Sequence, residues 1–599
     1  MNLILRPKAM QVLMCLAVLG LVVYANAVFH PFVHDDVAFI RDNPNIARWD
    51  NITEVFFKPG IPLKSLRVTT PYYRPLLEVF YRFEYLLFGM NPAGYHFFNI
   101  ALHIINSFLA YLVLLAWRMR RRWAFFLAVL FLVHPLQTEA VACIAGVSNL
   151  AVAFFILLSV VCYERARNQK ARGLESLFFA GAILFFVAAL FTKEQAVLLP
   201  LFLAFYEILR RRIVVFRDLW LLSFLGVAAG FLIWRAYLFP NFLSSAMSDP
   251  GELRLRLLSI PQTILMDWGL VVYPVGLHYY RTVNILDFKP VLFSLFIVIS
   301  AGAGFLLLKM PQKHRVLGCL GLGWAFVMAL TSLNIAPLIV EYSYVLSAEH
   351  FLYLPLLGAL VFLLLLMRFV LKPAWKDLSP LVKVVVMGGI FLLLATATVR
   401  QNTYWRGEIP LFERALGYEP QLGRVQALLS KAYTLDGRYD EALVSSARAL
   451  RIMENYVKKT SFSRAKPAQS VYVHFVKAIH FDRAQIYVLK GDERHADDEF
   501  RAVLALRGEA VQEQESKIIN SRSLSALGLS ALRAGKSMEA KRYWQMSVVI
   551  DTTSADALSN LGALALERND KRLAVLFFQR ALKASSDFHP AVLGLRRIK

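Results

Sequence analysis

The chain has 599 residues, 57% of them hydrophobic, with a mean hydropathy of +0.50 and a formal net charge of +24. It is too apolar for one soluble domain and too long for a simple anchor, so it must contain a large membrane region. The positive balance does not point to nucleic acid. Much of the Lys and Arg lies in short clusters between apolar runs, "RMRRR" at 118–122, "RRR" at 210–212 and "KMPQKHR" at 309–315, as in cytoplasmic loops.

In chain order, apolar windows of about 20 residues predict about 11 spans, near 10–29, 97–117, 123–142, 145–163, 174–192, 195–209, 218–238, 289–308, 316–333, 352–371 and 382–399. A short run near 263–277 is expected to be interfacial or re-entrant. Only then do the basic clusters, together with "ERARNQKAR" (164–172) and "KPAWK" (372–376), share one side. The amino terminus is then cytoplasmic, and both the loop 30–95 and everything after Arg400 face outward. The basic start "MNLILRPKAM" is read as leading into a retained span rather than a cleaved signal. The cysteines, Cys15, Cys143, Cys162 and Cys319, fall in apolar stretches without metal-ligand spacing.

From about Gly407 the sequence turns charged and helical, and it repeats. "LGLSALRAGKSMEAKRYWQMSV" recurs as "LGALALERNDKRLAVLFFQRAL", with Gly528 matched by Gly562 and Tyr543 by Phe577, a 34-residue period; further copies start at Leu429 and Arg483. This resembles the tetratricopeptide repeat, a stack of helix pairs in which small residues allow close approach. The expected architecture is all-α: a polytopic transmembrane bundle over 1–400, followed by a tetratricopeptide-repeat solenoid over 401–599.

Ionisable groups near a membrane are costly and therefore candidates for function. Asp35 and Asp36 follow the first span directly, where solvated loop charge is the plain alternative. The expected topology brings other polar groups to the same depth: Arg74, Glu139, Lys193, Glu194, Glu341, Glu349 and His350. In "YHFFNIALHIINSF", His96, Asn99, His103 and Asn106 recur at helical spacing on one face. Such a face looks into the bundle or a wet cavity. His96 and Asn99, with His134 and Glu139, are expected to line that cavity, whereas an interhelical hydrogen-bond ladder is the equal alternative for His103 and Asn106. Carboxylates and cations together suit transfer from a lipid-borne donor to a hydroxyl acceptor.

The segments "VHDDVAFIRDNPNI", "YYRPLLEVFYRFEYLLFGMNPAGYHFFNIALHIINS", "LAVLFLVHPLQTEAVACIAG", "LFTKEQAVLLP", "SAEHFLYLP" and "QNTYWRGEIPLFERAL", in this order before the repeats, resemble the transmembrane and tetratricopeptide repeat (TMTC) family. That family is similar to the GT-C glycosyltransferases and related to the protein O-mannosyltransferases. The resemblance implies a polyprenyl-phosphate sugar donor and an essential acid in the first external loop. Asp35 and Asp36 match that position, one as base, with Asp36 slightly favoured, and the other orienting a substrate or holding a divalent cation (Mg or Mn) where one is used.

His350 stands where the family has Arg, so Arg74, Lys193 and Arg235 become the better contacts for the donor phosphate, with Glu194, Glu349 and His350 around them. The implied reaction is an inverting displacement on a protein or glycan acceptor held by the repeats. The short loops and few repeats fit a bacterial inner-membrane enzyme with periplasmic repeats, or an endoplasmic reticulum enzyme in a eukaryote. A non-enzymatic scaffold for envelope assembly, or a polysaccharide polymerase, is the competing reading. A transporter is disfavoured because the spans show no inverted internal repeat.

Overall fold

A computed structural model describes residues 7–57, 62–63, 68–69, 72–211, 217–239, 250–285, 287–333, 344–371, 377–460, 466–506 and 513–598. Glu341 lies outside them. The chain divides into two compact units, 1–64 with 69–418 and 65–68 with 419–599. The helix Glu408–Tyr418 thus packs with the membrane unit, beyond the boundary expected near residue 400.

Among the described residues, nine helices are long and apolar enough to cross a membrane, or ten if the bent pair Arg121–Val133 and Pro135–Ala142 counts as one span. Two of the expected spans fall short. Pro200 and Pro355 sit in the first turns of helices Leu199–Arg211 and Pro355–Val370, which have only 13 and 16 residues. Conversely, the run expected near 263–277 belongs to a 23-residue helix, Pro250–Val272, which meets the length and hydropathy needed for a span.

Helices Pro92–Ala116 and Ile144–Arg167 form the centre of this unit, with 78% and 72% of their apolar windows buried, whereas Pro290–Lys309 and Pro380–Trp405 are peripheral at 6%. Small residues set the closest approach: a Cβ on Gly321 or Gly358 would overlap the other helix's backbone carbonyl.

One irregularity shapes everything near the site. Helix Arg121–Val133 stops at His134, whose extended backbone is what a following proline imposes, and the chain bends by 52° at Pro135. Two short turns and Thr138–Ala142 follow before the next long helix begins at Val147. Such a break leaves carbonyls without helical partners in a region where water is scarce, so side chains must supply the donors. Elsewhere, strand Thr282–Asn284 pairs antiparallel with Tyr344–Leu346, in the register Val283 to Val345. This places Arg281 beside Ser347, whose N–H donates to the Arg281 carbonyl at 2.9 Å.

The second unit is built of helix pairs: Gly423–Leu435 with Tyr439–Thr460, Lys466–Leu489 with Glu493–Ala505, Glu513–Arg533 with Ser537–Ile550, and Ala555–Glu567 with Lys571–Ala584. The matched glycines face the aromatic one position beyond the pair aligned in sequence. A Cβ at Gly528 would strike Trp544, and one at Gly562 would strike Phe578. The turns within the pairs carry Gly437, Gly491, Gly535 and Asn569, all at positive φ, where Gly and Asn are the least strained residues.

Candidate active site

The segment after the first span turns sharply at His34, whose φ of 50° is left-handed. Two different acids follow. Asp36 is fully buried. Its Oδ2 accepts from the Val33 N–H at 3.1 Å, and its Oδ1 accepts from the Ala145 N–H at 2.7 Å and the Cys143 thiol at 3.4 Å. Burial pushes its pKa up to about 7 against the pull of those donors. Asp36 therefore ties the acidic loop to the chain break at 143–145, and its oxygens are occupied by doing so.

Asp35 has 53% of its side chain exposed, and its Oδ1 lies 3.2 Å from His34 Nε2. The accessible carboxylate is Asp35. This corrects the slight preference for Asp36 as the reacting group: burial and three donors from the chain leave Asp36 with no oxygen to offer.

The cations gather at the ends of other helices. Arg74 donates from Nε and Nη2 to Glu194 Oε2 at 3.1 and 2.9 Å, and Arg235 approaches Glu194 Oε1 at 3.9 Å. Burial alone would raise the Glu194 pKa, but the two guanidiniums outweigh it and hold the carboxyl below its usual value. Beside it, Lys193 donates to Asn149 Oδ1 at 2.5 Å and lies over the Phe351 ring. Burial, aided by Arg74, pushes its pKa down to about 7. Three cations thus surround one carboxylate, a surplus of positive charge suited to an anion.

Glu139 joins this set to the next loop, accepting from the His350 N–H at 2.9 Å and pairing with His350 Nδ1 at 2.9 Å. His350 is therefore committed to Glu139. Glu349 is buried; its Oε1 accepts from the His278 N–H at 2.7 Å and lies 3.6 Å from Arg281. Burial and the nearby Glu139 push its pKa up. The two groups of residues meet around Cys143, whose thiol is pushed up by burial and by the charges of Asp36, Asp35 and Glu139.

The donors on the polar face of Pro92–Ala116 form a ladder, while Asn99 Oδ1, Asn106 Oδ1 and His96 Nδ1 are buried with no hydrogen-bond partner among the described residues. Asn99 donates to the carbonyls of Cys143 and Ile144 at 3.0 and 3.2 Å, and Asn106 donates to that of Leu150 at 2.8 Å. His103 Nε2 lies 3.0 Å from the Leu132 carbonyl, and its Nδ1 lies 2.7 Å from the Tyr353 hydroxyl. His96 bonds the His30 carbonyl, and His134 the Val271 carbonyl, each at 3.1 Å. His96, Asn99 and His134, expected to line a cavity, thus each meet a backbone carbonyl. All three are buried; Asn99 serves carbonyls at the chain break, His96 one in the loop after the first span, and His134 one in the last turn of Pro250–Val272. Glu139, also expected there, is buried and engaged by His350.

Several residues of this region escaped the sequence reading. His34 lay inside the quoted acidic stretch, but its turn gave no signal. Arg281 and His278 come in through the short strand pair. Glu84 sits on Pro75–Phe88 with both carboxylate oxygens buried and unbonded among the described residues. Burial and the charge of Asp36 raise its pKa well above normal. Among the described residues, no group of three or more His, Cys, Asp or Glu could hold a metal ion. The acid pair does not chelate either, since Asp36 is spent on N–H groups.

No family model matches the chain. Among curated proteins it is similar to mouse "Protein O-mannosyl-transferase TMTC3", 23% identical over 628 residues, 91% of this chain and 64% of that protein. It is also similar to mouse "Protein O-mannosyl-transferase TMTC2", 26% identical over 292 residues, 43% of this chain and 35% of that protein. The chain thus spans between about a third and two thirds of the length of these relatives. Among solved structures, ArnT from Cupriavidus metallidurans in the apo state aligns over 93% of this chain and 81% of its own, with a TM-score of 0.34 and 13% identity. By sequence, the chain is similar to the transmembrane and tetratricopeptide repeat proteins over nearly its whole length, as its ordered motifs anticipate.

Proposed function

We propose that the protein is a membrane glycosyltransferase that moves a sugar from a polyprenyl-phosphate donor to an acceptor hydroxyl. Mannose is the first candidate sugar, from the names of its relatives. One observation carries the reading: an accessible carboxylate on a pinned loop, Asp35, accompanied by three cations gathered on Glu194. In this reading the acceptor oxygen attacks the anomeric carbon as its proton passes to Asp35. The bond from that carbon to the phosphate oxygen breaks, and polyprenyl phosphate leaves as an anion against Lys193, Arg74 and Arg235. The attack comes from the face opposite the leaving group, so the configuration inverts.

Asp36 acts at one remove, by holding the loop that carries Asp35. Glu139 and His350 hold the turn Glu349–Leu352 beside Lys193. The repeats hold a protein or glycan acceptor, raising its concentration at the acid. In this reading Leu199–Arg211 and Pro355–Val370 cross the membrane and Pro250–Val272 does not, which keeps the basic clusters and the amino terminus cytoplasmic and this site and the repeats outward. The test is purified protein in lipid, given a panel of polyprenyl-phosphate sugars and scored for sugar release. Wild type should turn over at least one donor and Asp35→Asn should not. Equal turnover by both, or none by wild type, removes the reading; a scaffold would tolerate the change.

A further inference from the structure

The turn at His34 costs energy that glycine would avoid. A residue with a Cβ in the left-handed region is strained by about 1–3 kcal/mol and persists only where its surroundings over-determine it. Two other segments do so here. The His34 N–H donates to Glu408 Oε1 at 3.1 Å, from the first turn of the helix Glu408–Tyr418. The imidazole lies edge-on to Tyr279 and Phe412, with centroids 4.9 and 5.8 Å away. Its Nε2 stands between the Tyr279 hydroxyl at 2.6 Å and Asp35 Oδ1 at 3.2 Å. The groups that can carry charge around this ring are Asp35, Glu408 and Tyr279.

The strain has a geometric result. Side chains of successive residues diverge in ordinary extended or helical backbone, whereas here residues 34 and 35 bring an imidazole nitrogen and a carboxylate oxygen together. We propose that His34 is the positioning residue for Asp35, fixing Oδ1 so that Oδ2 is aimed at the acceptor hydroxyl, with Glu408 and Tyr279 fixing His34 in turn. This rests on the reading of Asp35 as the base. During the transfer the proton moves from the acceptor oxygen to Asp35. The imidazole Nε2 keeps its hydrogen bond to the Tyr279 hydroxyl and stays 3.2 Å from Asp35 Oδ1. Because Glu408 begins the helix that precedes the repeats in sequence, the base is held by the segment leading to them.

Glycine can adopt the His34 backbone without strain, so His34→Gly separates the ring from the fold. In full-length protein in lipid, with polyprenyl-phosphate mannose and the rest of the donor panel, His34→Gly should keep or raise the melting temperature. Its kcat should fall by about tenfold or more, the cost of a misplaced reacting group, with the donor KM unchanged. Added imidazole, filling the space left by the ring, should restore part of the loss. Asp35→Asn, run in parallel, keeps the two claims apart. If Asp35→Asn turns over like wild type, or wild type releases no sugar, the reading of Asp35 has failed. If Asp35→Asn is inactive while His34→Gly has wild-type kcat, or loses activity that imidazole does not restore, the role of His34 alone is overturned. A structure of His34→Gly with Asp35 in its original orientation would overturn it without any activity measurement.

Discussion

The polar face of helix Pro92–Ala116 and the segment around Asp35 contain the same kinds of side chain, yet they do opposite work. On the helix, His103 and Asn106 are entirely buried; His103 meets the Leu132 carbonyl at the end of a broken helix, and Asn106 meets the Leu150 carbonyl of the next one. At 34–36, Asp35 is half exposed on a backbone that is itself strained. The ladder is buried and spends its donors on carbonyls; the acid is held and open. A buried polar group that completes its neighbours' bonding contributes fold, while one kept accessible at a structural cost is available for chemistry.

The sharpest way to break this contrast is to exchange the two kinds of damage. Asp35→Asn should reduce turnover by about 10²- to 10⁴-fold, the usual worth of a general base, and leave the melting temperature unchanged. Asn99→Leu should do the reverse. It abandons the carbonyls of Cys143 and Ile144 in a dry interior, at roughly 1–3 kcal/mol each, and lowers thermal stability while the folded fraction keeps its turnover per molecule. Measuring melting and single-turnover rates on both variants checks it, and a large rate loss in folded Asn99→Leu would mean that the ladder also serves catalysis.

Asp36→Asn lies between the two and sharpens the comparison. An amide can accept from one N–H only by turning its own NH₂ towards the other, so either Val33 or Ala145 is left facing a donor. A loss of roughly 2 kcal/mol of stability is expected, together with reduced turnover through the displaced loop. A variant as stable as wild type but inactive would make Asp36 a reacting group after all.

What was legible in the sequence follows the same division. Periodicity exposed the stripe at His96, Asn99, His103 and Asn106, and the 34-residue repeat, because helices and helix stacks print a regular spacing. The spacing could not say whether the stripe faced water or a partner. That depended on the chain break around Pro135, which creates the carbonyls that Asn99 and His103 meet. The acid pair could be located, but the two carboxylates could not be told apart, since their difference lies in Ala145 and Cys143, more than a hundred residues away. The run at 263–277 gave no sign of its length, because less apolar residues from 250 onward join it in one helix.

The smallest expected effect concerns the cations. Lys193 has its pKa pushed down to about 7 by burial and by Arg74, so it is charged below that pH and loses its charge as the pH rises through it. A sugar phosphodiester donor keeps a single negative charge throughout this range. Its binding should therefore weaken with rising pH because the protein changes and the ligand does not. Between about pH 6 and about pH 8 the donor KM should increase by up to about tenfold, the limit set by one titrating group. Lys193→Arg, which stays charged, should flatten the increase, even if its planar head fits Asn149 less well and raises KM at every pH. A wild-type KM that does not change over this range would place Lys193 with the ladder, as a donor to Asn149 that serves the fold, and leave Arg74 and Arg235 as the cations available to the phosphate.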